Sequence, residues 1–197
     1  MNKKEKKRRV SIIIAILFIF LCGYFTFWLL IPGIPKGDDL YFHLSRIVGI
    51  KNGLELGSFP VKIYPGYFHG YGYANGLFYP DLFLYIPAIL VCFGMKVVTA
   101  YKILLLLCTI FAALFMYICV KGISKSRYAA TISMIVYTLA SYRAIDAYTR
   151  ADLGETLAFV FLPLVILGMY KIIYDNYKQW YILSLGIAAI FLSHEIS

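Results

Sequence analysis

The chain is short of charge, above all of acidic charge, and short of cysteine and histidine. Only 15% of its 197 residues are charged and ten are acidic, where a soluble domain averages about 25% charged. A water-soluble protein with a single core is thereby excluded. The four cysteines, Cys22, Cys92, Cys108 and Cys119, sit inside apolar runs. They have neither the spacing of metal ligands nor the loop placement of a disulfide framework, and read as packing residues. No internal repeat is visible, and no low-complexity segment apart from a basic N-terminus. What fills the chain instead is apolar surface, 61% of residues at a mean hydropathy of +0.77. A core of this size cannot hide that much surface from water, so lipid must be the solvent for much of it.

Of the net charge of +9, a large part lies in Lys3, Lys4, Lys6, Lys7, Arg8 and Arg9, offset locally by Glu5. An apolar span follows at once, so this run predicts a cytoplasmic anchor beside anionic lipid and no nucleic-acid partner. The uncharged stretch after it is too long for a signal-peptide core and lacks a small-residue cleavage site. Residues 1–9 are therefore read as a basic cytoplasmic N-terminus and 10–32 as a first transmembrane helix, stopped by Pro32 and Pro35. Residues 33–96 form an extracytoplasmic loop with interfacial helices. In it, Asp38 or Asp39 can cap a helix carrying Leu40, Leu44, Ile47, Ile50 and Leu54 at helical spacing, with Asp39, His43 and Arg46 on a neighbouring stripe.

Residues 82–95 are apolar but short, and their reading sets the topology. If they span, the acid-free basic loop 121–127 falls outside. If they only dip into the interface, that loop is cytoplasmic and 143–155 is external, which the positive-inside rule prefers. Residues 97–197 then hold about four further spans, 97–120, 128–142, 156–173 and 180–193. The chain stops just beyond an apolar helix, at His194-Glu195-Ile196-Ser197, and so looks like the N-terminal part of something longer.

Three external clusters can carry chemistry. Asp38-Asp39-Leu40-Tyr41-Phe42-His43-Leu44-Ser45-Arg46 offers two carboxylates beside a membrane. They either cap a helix and stay solvated, or accept a hydroxyl proton or bind a divalent cation such as magnesium or manganese. Residues 143–155 hold Arg143, Asp146, Arg150, Asp152 and Glu155. They form either a solvated loop with an Asp146–Arg150 pair, or a site where guanidinium groups grip phosphate oxygens. The glycine-interleaved tyrosines of residues 64–80, Tyr64, Tyr67 and Tyr73 among them, form either an interfacial belt or a face for a sugar ring or prenyl chain.

The order of a first span, an acidic outer loop, interfacial helices, a second span, a basic turn and a third span ending in Tyr-x-x-x-x-Tyr-Arg-x-x-Asp resembles the GT-C superfamily of glycosyltransferases. More narrowly, DDLYFHLSRI, FPVKIYPGYFHGYGYANGLFYPDLFLYIPA and YRAIDAYTRADLGE resemble the start of the large YfhO-type bacterial membrane proteins. Some of these carry the label "6-pyruvoyl-tetrahydropterin synthase-related", but nothing here resembles the zinc-binding histidines of that soluble enzyme. The resemblance implies an all-α, polytopic membrane fold with a GT-C-like N-terminal module. It also implies transfer of a sugar from a polyprenyl-phosphate donor to a cell-envelope polymer on the outer face of a bacterial cytoplasmic membrane. Asp39 or Asp38 would be the base and Asp146 the second acid, with a divalent metal undecided. His43, Arg46, Tyr64, Tyr67, Tyr73, Arg143, Arg150, Glu155 and His194 would contact substrate. The rival readings are a transporter or lipid flippase, whose charges would sit at mid-membrane, and a noncatalytic scaffold, which would tolerate loss of Asp39 and Asp146.

Overall fold

A computed structural model of the protein describes residues 3–33 and 36–194. Pro35, half of the expected stop after the first helix, lies outside the described residues, as do Glu195, Ile196 and Ser197. Among the described residues regular structure is helical, apart from one isolated bridge between Tyr64 and Tyr73.

Helix α1 runs over Lys3–Thr26, because the lysines and arginines before residue 10 are good helix formers and extend the apolar span backwards. It stops short of the expected end and tightens into a 3-10 turn at Phe27–Leu30. Pro32 accounts for this, since it lacks an N–H and disfavours helical geometry in the residue before it. The long loop then folds into α2 (Leu40–Glu55), a single turn α3 (Asn75–Phe78), a 3-10 turn (Leu82–Leu84) and α4 (Tyr85–Cys92). The apolar helical stretch Leu82–Cys92 rises only about 16 Å, half the hydrocarbon thickness of a bilayer.

The remaining elements are α5 (Val97–Ser124), α6 (Arg127–Thr138), α7 (Ser141–Ala144) passing into a π-helical turn at Ile145–Arg150, α8 (Leu153–Tyr174) and α9 (Tyr181–Phe191). Three helices are long and apolar enough to cross a membrane: Arg8–Thr26 within α1, α5 and α8. The sequence reading expected about five. The difference lies in α6 and α9, which have 12 and 11 residues and rise under about 20 Å. α6 ends early because the Arg143 guanidinium turns back to the carbonyls of Tyr137 and Thr138, satisfying last-turn acceptors that would otherwise call for more helix.

α5 packs on α6 and on α8, and α8 on α9; α5 and α8 run the same way, from the loop end to the basic end, and α6 and α9 return. Gly168 allows the contact of α8 with α9, since a Cβ there would lie 2.4 Å from the backbone nitrogen of Leu183, and small residues let helices in lipid approach closely. The main core joins Leu40, Ile47 and Ile50 of α2 to Ala88 of α4, Leu104 and Cys108 of α5, and Leu153 and Leu157 of α8. Thus the loop helix α2 docks onto the bundle by burying the stripe that the periodicity marked.

The bundle has two distinct ends. At one, Arg127 donates to the Ser11 hydroxyl at 3.1 Å and Lys125 approaches Asp175 at 4.0 Å. At the other, Tyr148 donates to the carbonyl of Phe25, Lys102 to that of Ile31, and the loop 36–80 is gathered. The turn around Ser124 and the segment around Thr149 are therefore at opposite ends. After replacement of the native cysteines, Ser124→Cys and Thr149→Cys should react with an impermeant thiol reagent from opposite faces of sealed vesicles. Reaction of both from one face overturns this arrangement.

Candidate functional site

The loop end is assembled by backbone contacts between segments more than a hundred residues apart. The Asp38 N–H donates to the Thr149 carbonyl at 3.3 Å and the Asp39 N–H to the Arg150 carbonyl at 2.9 Å. Gly37 makes the approach possible, because a Cβ there would sit 2.5 Å from the Cβ of Ala151. Ala151 closes the π-helical turn in the left-handed region, at φ +54°. The carboxylates of Asp38 and Asp39 are exposed beside this junction. The capping expected of them is not formed: Asp39 occupies the N-cap position of α2, but with φ −99° and ψ 4° its side chain makes no cap bond.

Behind the junction Arg150 gathers three acids. Its Nη1 donates to Asp146 Oδ1 at 2.6 Å and to Glu155 Oε2 at 2.7 Å, and its Nη2 reaches Asp152 Oδ2 at 3.3 Å. Tyr142 donates to the other Glu155 oxygen at 2.8 Å, and Asp152 Oδ1 caps α8 by accepting from the Glu155 N–H at 3.0 Å. Asp146 is 0% exposed and its Oδ2 has no hydrogen-bond partner among the described residues. Burial, then the charge of Glu155, pushes its carboxyl above the ordinary range, against the lowering pull of Arg150. The open cleft expected around Asp146 is thus a closed ion cluster. Among the described residues no group of three His, Cys, Asp or Glu side chains is arranged to hold a metal ion.

His43 and Arg46 do not orient Asp39. Arg46, 2% exposed, pairs with Asp81 at 2.7 Å, donates to the Pro80 carbonyl at 2.6 Å and lies over the rings of Phe42 and Tyr79. His43 faces inward, with Nδ1 3.4 Å from Arg46 Nη1 and Nε2 accepting from the Leu153 N–H at 3.3 Å. Burial and then the Arg46 charge pull its pKa down to about 3, so it is a neutral acceptor that ties α2 to the start of α8. The reason is the stripe itself: docking Ile47 and Ile50 into the core carries the adjacent His43 and Arg46 inside.

Tyr64, Tyr67 and Tyr73 likewise turn inward, while Tyr71 stays exposed. Tyr64 is buried, donates to Asp81 Oδ2 at 2.7 Å and exchanges backbone hydrogen bonds with Tyr73. Tyr67 donates to the Ser45 carbonyl, and the three rings pack mutually at 6.2–6.3 Å. They are the core of the loop, not an open platform. Arg143, 4% exposed, lies over the rings of Phe25 and Tyr137 while capping α6. His194 packs on Gly154 at the start of α8. One functional residue, Asp81, lies outside the sequence reading, marked there only as the acid after Pro80; for Asp152, part of the acidic cluster, the Asp152-Leu-Gly-Glu155 spacing is a capping signal that the reading does not use.

Beside this cluster a groove of about 460 Å³ runs between the loop and the end of α9, with Phe59, Lys62, Tyr79, Leu82, Ile89 and Leu192 in its wall. Lys62 reaches the Gly76 carbonyl at 3.1 Å, and Tyr79 carries the ring of Phe42, one turn after Asp39, at 5.5 Å.

Fold and cluster together describe an all-helical protein with apolar helices fit for a membrane and a polar site at one end. Compared with curated proteins, the chain is similar to one named "Uncharacterized protein" of Lactococcus lactis subsp. cremoris (strain MG1363), with 25% identity over 197 residues, taking in 98% of this chain and 32% of the relative. The chain spans about a third of that relative's length. No family profile matches the chain, and no solved structure matches it.

Two outcomes test these assignments. Asp81→Asn should destabilise the protein by about 3–5 kcal/mol in a detergent unfolding titration, because Arg46 is left buried without a counter-charge. The double variant Arg46→Met/Asp81→Leu should recover most of that loss. For His43, a folded pKa near 3 against an unfolded value near 6.5 means that its contribution is intact above pH 6.5 and lost as pH falls towards 3. Between pH 7.5 and 5.5 the wild type should therefore lose about 1.4 kcal/mol more than His43→Gln. Parallel stability profiles would show that His43 is not held neutral.

Proposed function

We propose that the protein acts as a GT-C-like module in glycosyl transfer from a polyprenyl-phosphate-linked sugar to a cell-envelope acceptor. It sits in the bacterial cytoplasmic membrane, with the loop end facing outward and the Lys121–Arg127 turn facing the cytoplasm. The observation that carries this reading is the exposed carboxylate of Asp39, held at the rim of the Arg150 cluster by its own backbone hydrogen bond. Asp39 accepts the proton of the acceptor hydroxyl as the new bond to the anomeric carbon forms. The bond from that carbon to the phosphate oxygen breaks, and its electron pair leaves with the phosphate.

The closed geometry of Arg143 and Arg150 moves the phosphate contact elsewhere. In this reading Lys62 of the apolar groove meets it and the groove walls take the prenyl chain, with Tyr79 of the groove packed on Phe42, one turn after Asp39. A second reading, a noncatalytic scaffold, is favoured by the pairing of Arg46, Arg143 and Arg150 with internal partners.

One assay separates the two. In membranes carrying the full-length protein and supplied with a polyprenyl-phosphate sugar, Asp39→Asn should lower transfer about 10²–10⁴-fold with insertion unchanged. An equal loss in Asp38→Asn would assign the base to the pair. Full transfer in both variants removes the transferase mechanism and leaves the scaffold.

A further inference from the structure

The basic end of the bundle carries a second feature, unrelated to the loop end. A groove of about 250 Å³ opens between α1, α5 and α6, and its wall includes Ser11, Phe18, Leu114, Lys121, Arg127 and Met134. The residues are graded along its length. Ser11, Lys121 and Arg127 border it nearest the basic turn, while Phe18, Leu114 and Met134 lie seven residues, about two turns, farther along the same three helices. From Ser11 to Phe18 the helix rises about 10 Å, the length of a substantial part of an acyl chain. Beyond Phe18 and Met134 the three helices pack through Leu21, Cys22 and Ala113.

We infer that this groove is a binding site for an anionic glycerophospholipid of the surrounding bilayer, with one acyl chain along the apolar wall and the phosphate between Lys121 and Arg127. Charge complementarity selects the occupant. Lys121 is oriented by the ring of Tyr117 at 5.5 Å and Arg127 by the Ser11 hydroxyl at 3.1 Å, so both cations are directed by neutral partners that leave their charge in place. Asp175, at the same end, is engaged by Lys171 and Lys125. The exposed Arg8 and Arg9 of α1 lie close to Ser11 in sequence and add to the positive potential at this end. A basic pocket between helices at the membrane surface is the kind of site that selects acidic headgroups. Two cations at a bilayer surface also set the scale of the effect, roughly fivefold in affinity for each.

The probe is phosphatidylglycerol, with phosphatidylcholine of the same chains as the neutral comparison. Lipid retained by the detergent-solubilised protein is counted by native mass spectrometry, and thermal stability is followed as each lipid is added. Wild type should retain phosphatidylglycerol in preference to phosphatidylcholine and be stabilised by it. Lys121→Gln/Arg127→Gln should weaken retention about 30-fold, and Leu114→Trp, which fills the groove and leaves both cations, should weaken it as well. Lys102→Gln, at the opposite end of the bundle, should retain lipid as the wild type does. Should the double variant prove unstable without lipid, Leu114→Trp decides alone. Equal retention of both lipids, unchanged retention in Leu114→Trp, or the same stabilisation by inorganic phosphate overturns the inference. So does a lipid-independent dimer that occupies the groove.

Discussion

A guanidinium group at the edge of an apolar bundle must be compensated, because a charge left buried and unpaired costs far more than any one apolar side chain returns by packing. The loop end is organised around three such compensations, each of a different kind. Arg46 has a buried carboxylate, a carbonyl and two aromatic faces. Arg143 has the carbonyls at the end of α6, where the helix dipole favours a cation, together with two rings. Arg150, half open to solvent, is surrounded by three acids. Each solution fixes a different junction: the loop on α2, the break between α6 and α7, and the turn into α8.

These junctions explain why a long polar loop can be ordered at the end of an apolar bundle. Asp81 accepts from both Arg46 and Tyr64, so one carboxylate fastens α2, the tyrosine core and the entry to α4. The Leu153 N–H, a donor in the first turn of α8, is met by His43 from α2. Loss of one such group is therefore felt in several elements, since neighbours in one hydrogen-bonded network do not behave independently.

The two ends differ in how their charge is engaged. At the loop end the arginines are engaged internally, and the exposed charge is mixed, with the carboxylates of Asp38 and Asp39 beside lysines such as Lys36 and Lys62. At the basic end Lys121 and Arg127 lean on neutral groups, the ring of Tyr117 and the hydroxyl of Ser11. In the proposed reading the loop end offers carboxylates for chemistry and the basic end cations for lipid. A transporter would instead place charge at mid-membrane, where the described residues of α5 and α8 are apolar or small except for hydroxyls bonded within the bundle, such as Thr109 on the Leu105 carbonyl.

Composition and hydropathy alone determined that lipid is the solvent, that the regular structure is helical, and which stripe of α2 is buried, because these follow from local periodicity and from transfer free energy. The sequence also showed that residues 38–46 and 143–155 were unusual, as charge beside hydrocarbon is unusual wherever it occurs. Only the tertiary structure decided what the charges do. Asp38 and Asp39 stayed exposed because Gly37 brings their backbone, not their side chains, against Thr149 and Arg150. His43, Arg46, Tyr64 and Arg143 went inside because they share faces with groups that the core requires, and because partners distant in the chain, Asp81, Leu153, Phe25 and the end of α6, were there to receive them.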